Sequence, residues 1–500
     1  MRFYTNVCRI GNELCVREIN ETGQSKYKRR FTPTMYLQNN EGSEFTSLYG
    51  DSVKPLTLDN MKEAREFLER YKGVTGVNVF GQQNWILQFL NDEYGGVLPF
   101  DPKLISAWAI DIETKLPVDE NGAVTGFPDV ETANAEIVLI TLQNLTSKQC
   151  FTFGSREYKG TKKLESSYLN CGSEIQLFKQ FIEFWQQKGI EVVTGWNIER
   201  FDIPYIFNRI LRVLDLTWAG KLSPWNNVQT SRKKISGGFG DKEELMIDIA
   251  GVSILDYVAL YKKYVFTKHE SYSLGHIAQE ELGQTKLDHS EYKNFNEFYE
   301  NGFDEKFVEY NIIDTQLVSR LEDKLKLIEL VYTVAYLAKV NFNDVFSPVK
   351  TWDAIIHNRL LGENVVVPLR GKNDGEDRSI EGAYIMEPVN GFHNWVVSLD
   401  ATSLYPSIMM SLNISPETYL GRDHDINFVK VLTGEQKLVS DDNVTSPLGT
   451  KFSRNTRGVM PKIIEEYMCN RKSAKRTMLN EEQKLEYIKA EIETRKKARL

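Results

Sequence analysis

Short runs in which apolar and polar residues alternate open the chain. RFYTNVCRI, ELCVREI, TMYLQ and WILQFL read as strands, and the stretch near residues 59–71 has helical spacing. Residues 1 to about 103 are therefore predicted to form a small α+β domain. A new pattern starts at Leu104, where LISAWAIDIET and then EIVLITLQN predict longer strands. The turn-rich segment 231–244, SRKKISGGFGDKEE, is flanked by strand candidates, and its Gly-Gly pair predicts a hairpin tip. Helical periodicity dominates residues 295–337. Polar, glycine-rich 369–384 reads as a linker. VVSLDATSLYPSIMM, 396–410, predicts a buried strand ending in Asp400 and a tight turn carrying Tyr405. A variable polar region covers 421–456. From Pro461 onward one long charged helical pattern runs to the last residue.

Five hundred residues exceed one hydrophobic core and predict three or four domains. The first residues lack the apolar centre of a secretory signal, and no apolar run approaches a membrane span, so no membrane partner is expected. Five cysteines, Cys8, Cys15, Cys150, Cys171 and Cys469, are odd in number and scattered. That excludes a disulfide framework and zinc spacing, and points to a reducing cytoplasm. The net charge of −8 excludes a generally basic nucleic-acid coat. A nucleic-acid site would have to be a local basic channel on an acidic body. The terminal helical pattern is such a local excess, with 11 Lys and Arg against 7 Glu. It has no capping glycine and is expected to pack on something outside the chain.

In WAIDIET, Asp111 and Glu113 lie two apart on a predicted strand. Period-two geometry sends both carboxylates to one face, with Ile110 and Ile112 on the other. Two carboxylates on one face repel unless a cation lies between them. Asp202 follows the strand-like VVTGWN and precedes an apolar helical stretch. Tyr310 and Asp314 stand at i and i+4 on one helix face. Taken singly, these are a common strand pair, a helix cap and a helix-surface pair. Together, four acids can hold two Mg²⁺ ions about 4 Å apart, the spacing that stabilises attacking and leaving oxygens in phosphodiester hydrolysis. A tyrosine one turn from a metal-binding Asp can orient the attacking water.

The three motifs, Asp111-Ile-Glu113, Asn197-Ile-Glu-Arg-Phe201-Asp202 and Tyr310-Asn-Ile-Ile-Asp314, resemble the exonuclease motifs of family B DNA polymerases. Flanking text such as GWNIERFDIPYIFNRI, SYSLGHIA and FSPVKTWDAIIHNRL is similar to the replicative polymerases of T-even-type bacteriophages. The resemblance covers essentially the whole chain and is weakest in the first hundred residues and in 421–456. It implies that Asp111, Glu113, Asp202 and Asp314 bind the metals of a 3′→5′ proofreading exonuclease and that Tyr310 positions the water. Lys286 is a further candidate without an assigned role. The hairpin at 231–244 would help part primer from template, with Arg232, Lys233 and Lys234 suited to phosphate contact; a solvated basic turn is an equal alternative for the same residues.

The stretch Asp400 to Ser407 resembles the family's first polymerase motif. By that resemblance Asp400 binds both metals of nucleotidyl transfer. The backbone of Ala401, Thr402, Ser403 and Leu404 cradles the triphosphate, and Tyr405 stacks under the sugar and excludes a 2′-hydroxyl. Arg471 and Lys475, four apart on one helix face, resemble the basic pair of the fingers. Arg471 can fork a phosphate while Lys475 acts as a point charge. The family's second catalytic carboxylate comes from a Tyr-Gly-Asp-Thr-Asp-Ser turn, and no such string occurs here. Two-metal transfer cannot be assembled without it.

The expected fold is a mixed α/β multidomain chain. Residues 1–103, with 327–369 returning to them, form an N-terminal domain; 104–326 an RNase-H-like exonuclease; 370–457 a partial palm; 458–500 a partial fingers helix. Implied cofactors are two Mg²⁺ per active site, with Mn²⁺ as a substitute. Implied partners are primer–template and single-stranded DNA, deoxynucleoside triphosphates, a companion chain carrying the C-terminal part of the polymerase, and a sliding clamp reached through that companion. The place of work is the cytoplasm of an infected bacterium. A natural split and a truncated piece both account for the missing half, and the split is the reading adopted. Two competing readings are a stand-alone exonuclease and a non-catalytic nucleic-acid-binding subunit.

Overall fold

The computed structural model describes residues 1–121, 123–237, 240–369, 385–438 and 443–497, without the side chains of 234–242 and 497. Most of the predicted linker, 370–384, therefore lies outside the described residues, as do the hairpin-tip residues 238–239. The chain divides into two compact units. One comprises residues 1–35, 55–77 and 82–355, and the other 36–54, 78–81 and 356–500.

The first unit opens with an antiparallel meander, Phe3–Ile10, Glu13–Asn20 and Gly23–Arg30. Phe3, Tyr4, Leu14 and Val16 are fully buried in it. The helix Met61–Tyr71 forms where helical spacing is expected, and Asn60 caps its N–H groups. WILQFL is helical and not a strand: it lies in the helix Trp85–Glu93. Asn84 caps that helix by accepting from the Ile86 N–H, and a short apolar run cannot by periodicity alone be told from a strand.

A six-stranded mixed sheet forms the middle of this unit. Its order is Ser167–Asn170, Cys150–Gly154, Ile137–Asn144, Ala107–Thr114, Val192–Gly195, Ser253–Asp256. Ala107–Thr114 pairs antiparallel with Ile137–Asn144 and parallel with Val192–Gly195, which in turn pairs parallel with Ser253–Asp256. Numbered from Ala107–Thr114 along the chain, the five strands from Cys150–Gly154 to Ser253–Asp256 run 3-2-1-4-5, the RNase-H-like arrangement. The helices Glu174–Gln187 and Asp202–Val213 cover one face, where Phe178, Phe181, Ile206 and Ile210 pack on Ile110 and Ile112. Helix Val308–Leu325 packs on the two central strands, and near its start Val308, Tyr310 and Ile312 join Val138 and Leu139 in a second core. A π-helical turn, Phe303–Phe307, feeds this helix. Buried Arg17 ties the meander to the sheet by donating to the carbonyls of Ile190 at 2.6 Å and Gly251 at 2.9 Å.

The second unit contains a small core of Tyr36, Val53, Phe80 and Val366. It also contains a three-stranded antiparallel sheet, in the order Tyr419–Arg422, Thr450–Ser453, Asn443–Thr445. The helix Leu404–Ser411 packs against the terminal helix Val459–Lys497. Asn413 fastens their junction, donating to the carbonyls of Ser453 and Thr456 and accepting from the Gly458 N–H. At 39 residues the terminal helix is about 58 Å long, and beyond its first turns it is exposed. Among the described residues no helix is long and apolar enough to cross a membrane.

The predicted buried strand at 396–400 does not form. These residues are irregular and exposed, with Val397 79% and Leu399 91% accessible. A strand needs neighbours for its N–H and C=O groups, and no described strand pairs with this one. The turn after Asp400 is present, with Ser403 in the left-handed region (φ 52°), but Tyr405 lies in the helix that follows.

Candidate active site

Asp111 and Glu113 project from the same face of Ala107–Thr114, opposite Ile110 and Ile112 in the first core. The pairing with Ile137–Asn144 slips by one residue between Glu113 and Thr114. Such irregularities recur beside active sites because they re-aim side chains. Glu113 is buried, and Asp111 is half-buried.

Helix Val308–Leu325 lays Tyr310, Asn311 and Asp314 over these acids. One carboxylate oxygen from each of Asp111, Glu113 and Asp314 lies within 4.8 Å of the other two. Asn311, fully buried, donates from Nδ2 to Asp111 Oδ2 at 2.6 Å. Oδ1 of Asp314 is buried without a hydrogen-bond partner among the described residues. Asp202 stands at the first turn of Asp202–Val213, and its Oδ1 accepts the Ile112 N–H at 3.2 Å, from the residue between the two strand acids. Three of the four predicted ligands thus meet, and the fourth is anchored to the same strand.

The loop before Asp202 approaches the central strand closely. A Cβ on Gly195 would lie 2.4 Å from Ile198 Cγ2 and 2.5 Å from the Ile110 carbonyl oxygen, so only glycine fits. Asn197 takes a left-handed turn (φ 67°) and buries Ile198 in the core.

Three rings fix Tyr310 edge-on: His289 at 5.2 Å, Phe298 at 5.8 Å and Phe295 at 6.1 Å between centroids. Lys286 completes the group. Its ammonium forms an ion pair with Asp314 and donates to the Tyr310 hydroxyl at 3.3 Å. Asn311 and His289 escaped the sequence reading. Asn311 lies at i−3 from Asp314, and helical spacing was signal enough to find it. His289 carries no such signal, because only the tertiary fold brings it to Tyr310.

Burial and mutual repulsion strengthen the acids' hold on their own protons. Burial, then repulsion from Glu113, Asp202 and Asp314, drives Asp111 well above the usual carboxylate range. Burial and Asp314 do the same to Glu113. Burial lifts Asp202 to about 7, against the opposing Ile112 N–H. Burial also raises Asp314, opposed by Lys286. For Lys286 burial works downward, but Asp314, Tyr310 and Asp111 outweigh it, so the ammonium stays charged. Burial and the adjacent acids raise Tyr310 and keep its hydroxyl protonated. Converging hard oxygen donors, mutual repulsion and an unpartnered Asp314 oxygen fit a divalent cation.

The predicted hairpin is present as Val228–Gly237 and Gly240–Ile249. Arg232 pairs with Glu131 at 3.0 Å, and Lys233 is exposed. The side chain of Lys234 lies outside the described residues. In the second unit Asp400, Arg471 and Lys475 are exposed and make no ion pair among the described residues, Leu404 and Tyr405 are also exposed, and no carboxylate joins Asp400 in a metal-binding group.

Residues 98–277 match the exonuclease domain of DNA polymerase family B, and residues 352–495 match DNA polymerase family B itself. The chain is 33% identical to the DNA-directed DNA polymerase of Enterobacteria phage T4 over 97% of its own length and 55% of that protein's. It is 30% identical to the DNA-directed DNA polymerase of Escherichia phage RB69, with the same coverage. A DNA polymerase delta catalytic subunit of Caenorhabditis elegans is 27% identical over 67% of this chain and 30% of that protein. The chain thus spans about half the length of the phage relatives it matches. The first match covers Asp111, Glu113 and Asp202 and the second covers Asp400, Arg471 and Lys475, and the chain belongs to DNA polymerase family B and carries that family's exonuclease domain.

Proposed function

We propose that this chain is a 3′→5′ proofreading exonuclease joined to part of a phage replicative DNA polymerase. The observation that carries the nuclease reading is the meeting of Asp111, Glu113 and Asp314 oxygens within 4.8 Å beside an unpartnered Asp314 oxygen. Asp111, Glu113, Asp314 and Asp202 would hold Mg²⁺, two per site, with Mn²⁺ as a substitute. When bound, such ions stabilise the charge on the attacking and leaving oxygens of a phosphodiester. Asn311 keeps the Asp111 carboxylate aimed inward. Tyr310, protonated and clamped by its ring neighbours, offers a hydroxyl to orient the attacking water. Lys286 orders that hydroxyl and offsets the negative pocket. Hydrolysis of the terminal phosphodiester releases a nucleoside 5′-monophosphate and leaves a new 3′-hydroxyl.

The functional partition follows the family: 1–103 with 327–369 as N-terminal domain, 104–326 as exonuclease, 370–457 as partial palm and 458–500 as partial fingers. Arg232, Lys233 and Lys234 would contact phosphates of the parting primer. Asp400, Ser403, Leu404, Tyr405, Arg471 and Lys475 would contribute half of a nucleotidyl-transfer site for deoxynucleoside triphosphates. The exposed apolar run Trp395 to Leu399 supports a further polypeptide segment that pairs with it and supplies the second carboxylate. That companion would also reach the sliding clamp, and the work would take place in the cytoplasm of an infected bacterium.

The test is cleavage of 5′-labelled single-stranded DNA by the purified chain with Mg²⁺, beside Asp111→Ala/Glu113→Ala. Stepwise shortening from the 3′ end, lost in the variant, is the expected result. Equal activity in both proteins would reject these residues as the site. Primer extension by the chain alone would reject the need for a companion.

A further inference from the structure

The strand Ser253–Asp256 ends beside the loop 196–201, which delivers Asp202 to the site. Asp256 is 4% exposed and forms no ion pair among the described residues. Its carboxylate is taken up by backbone N–H groups of two separate segments. Oδ1 accepts from Val258 at 3.1 Å and Ala259 at 3.4 Å, capping the helix Tyr257–Tyr264. The same oxygen accepts from Asn197 at 3.2 Å, and Oδ2 accepts from Glu199 at 3.1 Å. A cap needs only the first pair. The second pair lies in the loop, which carries no regular ladder of its own.

From Glu199 the path to the site is short. The Arg200 and Phe201 N–H groups both return to the Asn197 carbonyl, and Ile203 N–H returns to that of Ile198. Asp202 sits inside this wound segment with its oxygen on Ile112. On the strand side, the loop is pressed against Ile110 at Gly195. Its outer side is pinned by Asp256, and Asn197 is held in a left-handed conformation that costs energy for a residue with a Cβ.

We propose that Asp256 is a positioning residue for the nuclease site: it pins the loop 197–199 and so sets where Asp202 presents its carboxylate. This rests on the nuclease reading above. Asp256→Asn separates pinning from capping. An asparagine can leave its oxygen on Val258, Ala259 and Asn197 while setting an NH₂ against the Glu199 N–H, so the helix stays capped and the loop loses its bond at Glu199.

Three measurements on the full chain test it, with Asn60→Ala as a control that removes another two-donor cap, at the helix Met61–Tyr71. Amide hydrogen exchange at 197–201 is expected to quicken in Asp256→Asn and to stay unchanged in Asn60→Ala. Mn²⁺ affinity by electron paramagnetic resonance is expected to fall about 10-fold, as for loss of a partner behind a metal ligand. The Mg²⁺ needed for half-maximal DNA cleavage should rise by a similar factor, with KM for DNA changed less than twofold. Unchanged exchange, or faster exchange with unchanged metal affinity, would overturn the proposal. If the unmodified chain binds Mn²⁺ yet cleaves nothing, the nuclease reading fails alone, and exchange with Mn²⁺ affinity still decides the role of Asp256.

Discussion

Two aspartates on apolar runs have opposite fates in this molecule. Asp111 leaves the middle of a six-stranded sheet, receives Asn311 and faces Asp314. Asp400 ends a run just as apolar, yet that run is irregular and exposed. The difference lies in their neighbours. Every segment that completes the Asp111 site is present: both flanking strands, the loop before Asp202 and the helix Val308–Leu325. The run before Asp400 has no described strand to pair with. A metal site is a property of the surrounding sheet as much as of its acids.

The largest expected effect tests that contrast directly. Asp111→Ala/Glu113→Ala should lower 3′→5′ cleavage by more than about 100-fold, the upper end of what losing even a supporting residue costs. Asp400→Ala should leave cleavage within about twofold. Equal losses would join the two sites into one functional unit. Lys286→Met comes next: with the Tyr310 hydroxyl unordered and the acids less balanced, kcat should fall about 10- to 100-fold in the same assay.

Stability supplies a third test. Asp202 ionises near pH 7 when folded and near 3.8 when unfolded. Below 3.8 both states are protonated. Between 3.8 and 7 the unfolded chain gives up the proton and the folded one does not, so stability falls as pH rises through this window. Mg²⁺ should therefore raise the melting temperature of the first unit more at pH 7.5 than at pH 5, and a hundredfold excess over its dissociation constant should stabilise the fold by about 2.7 kcal/mol. A melt with equal shifts at both pH values would detach the acids from the metal. The smallest effect belongs to the second unit. Val397→Lys, in the exposed run, should change stability by less than about 0.5 kcal/mol while reducing self-association in light scattering. A larger loss would mean that the run is packed after all.

The candidate site was legible because its parts obey local periods. Two acids at spacing two and a tyrosine and acid at spacing four declare their faces without any knowledge of tertiary structure. What stayed illegible was set by long-range packing. His289 meets Tyr310 only through the fold; WILQFL is a separate case, a short apolar run whose helical start rests on the local Asn84 cap. The run 396–400 was misread because an apolar pattern states what a segment wants to bury and not whether a neighbour is there to bury it.

The tight approach at Gly195 has a use of its own. A single methyl there would meet the Ile110 carbonyl and Ile198 at once, on a residue with no charge and no proton to exchange. Gly195→Ala is thus a wedge. It should tilt the Asp202 loop off the central strand while leaving all four carboxylates in the protein, and so divide the arrangement of the acids from their mere presence.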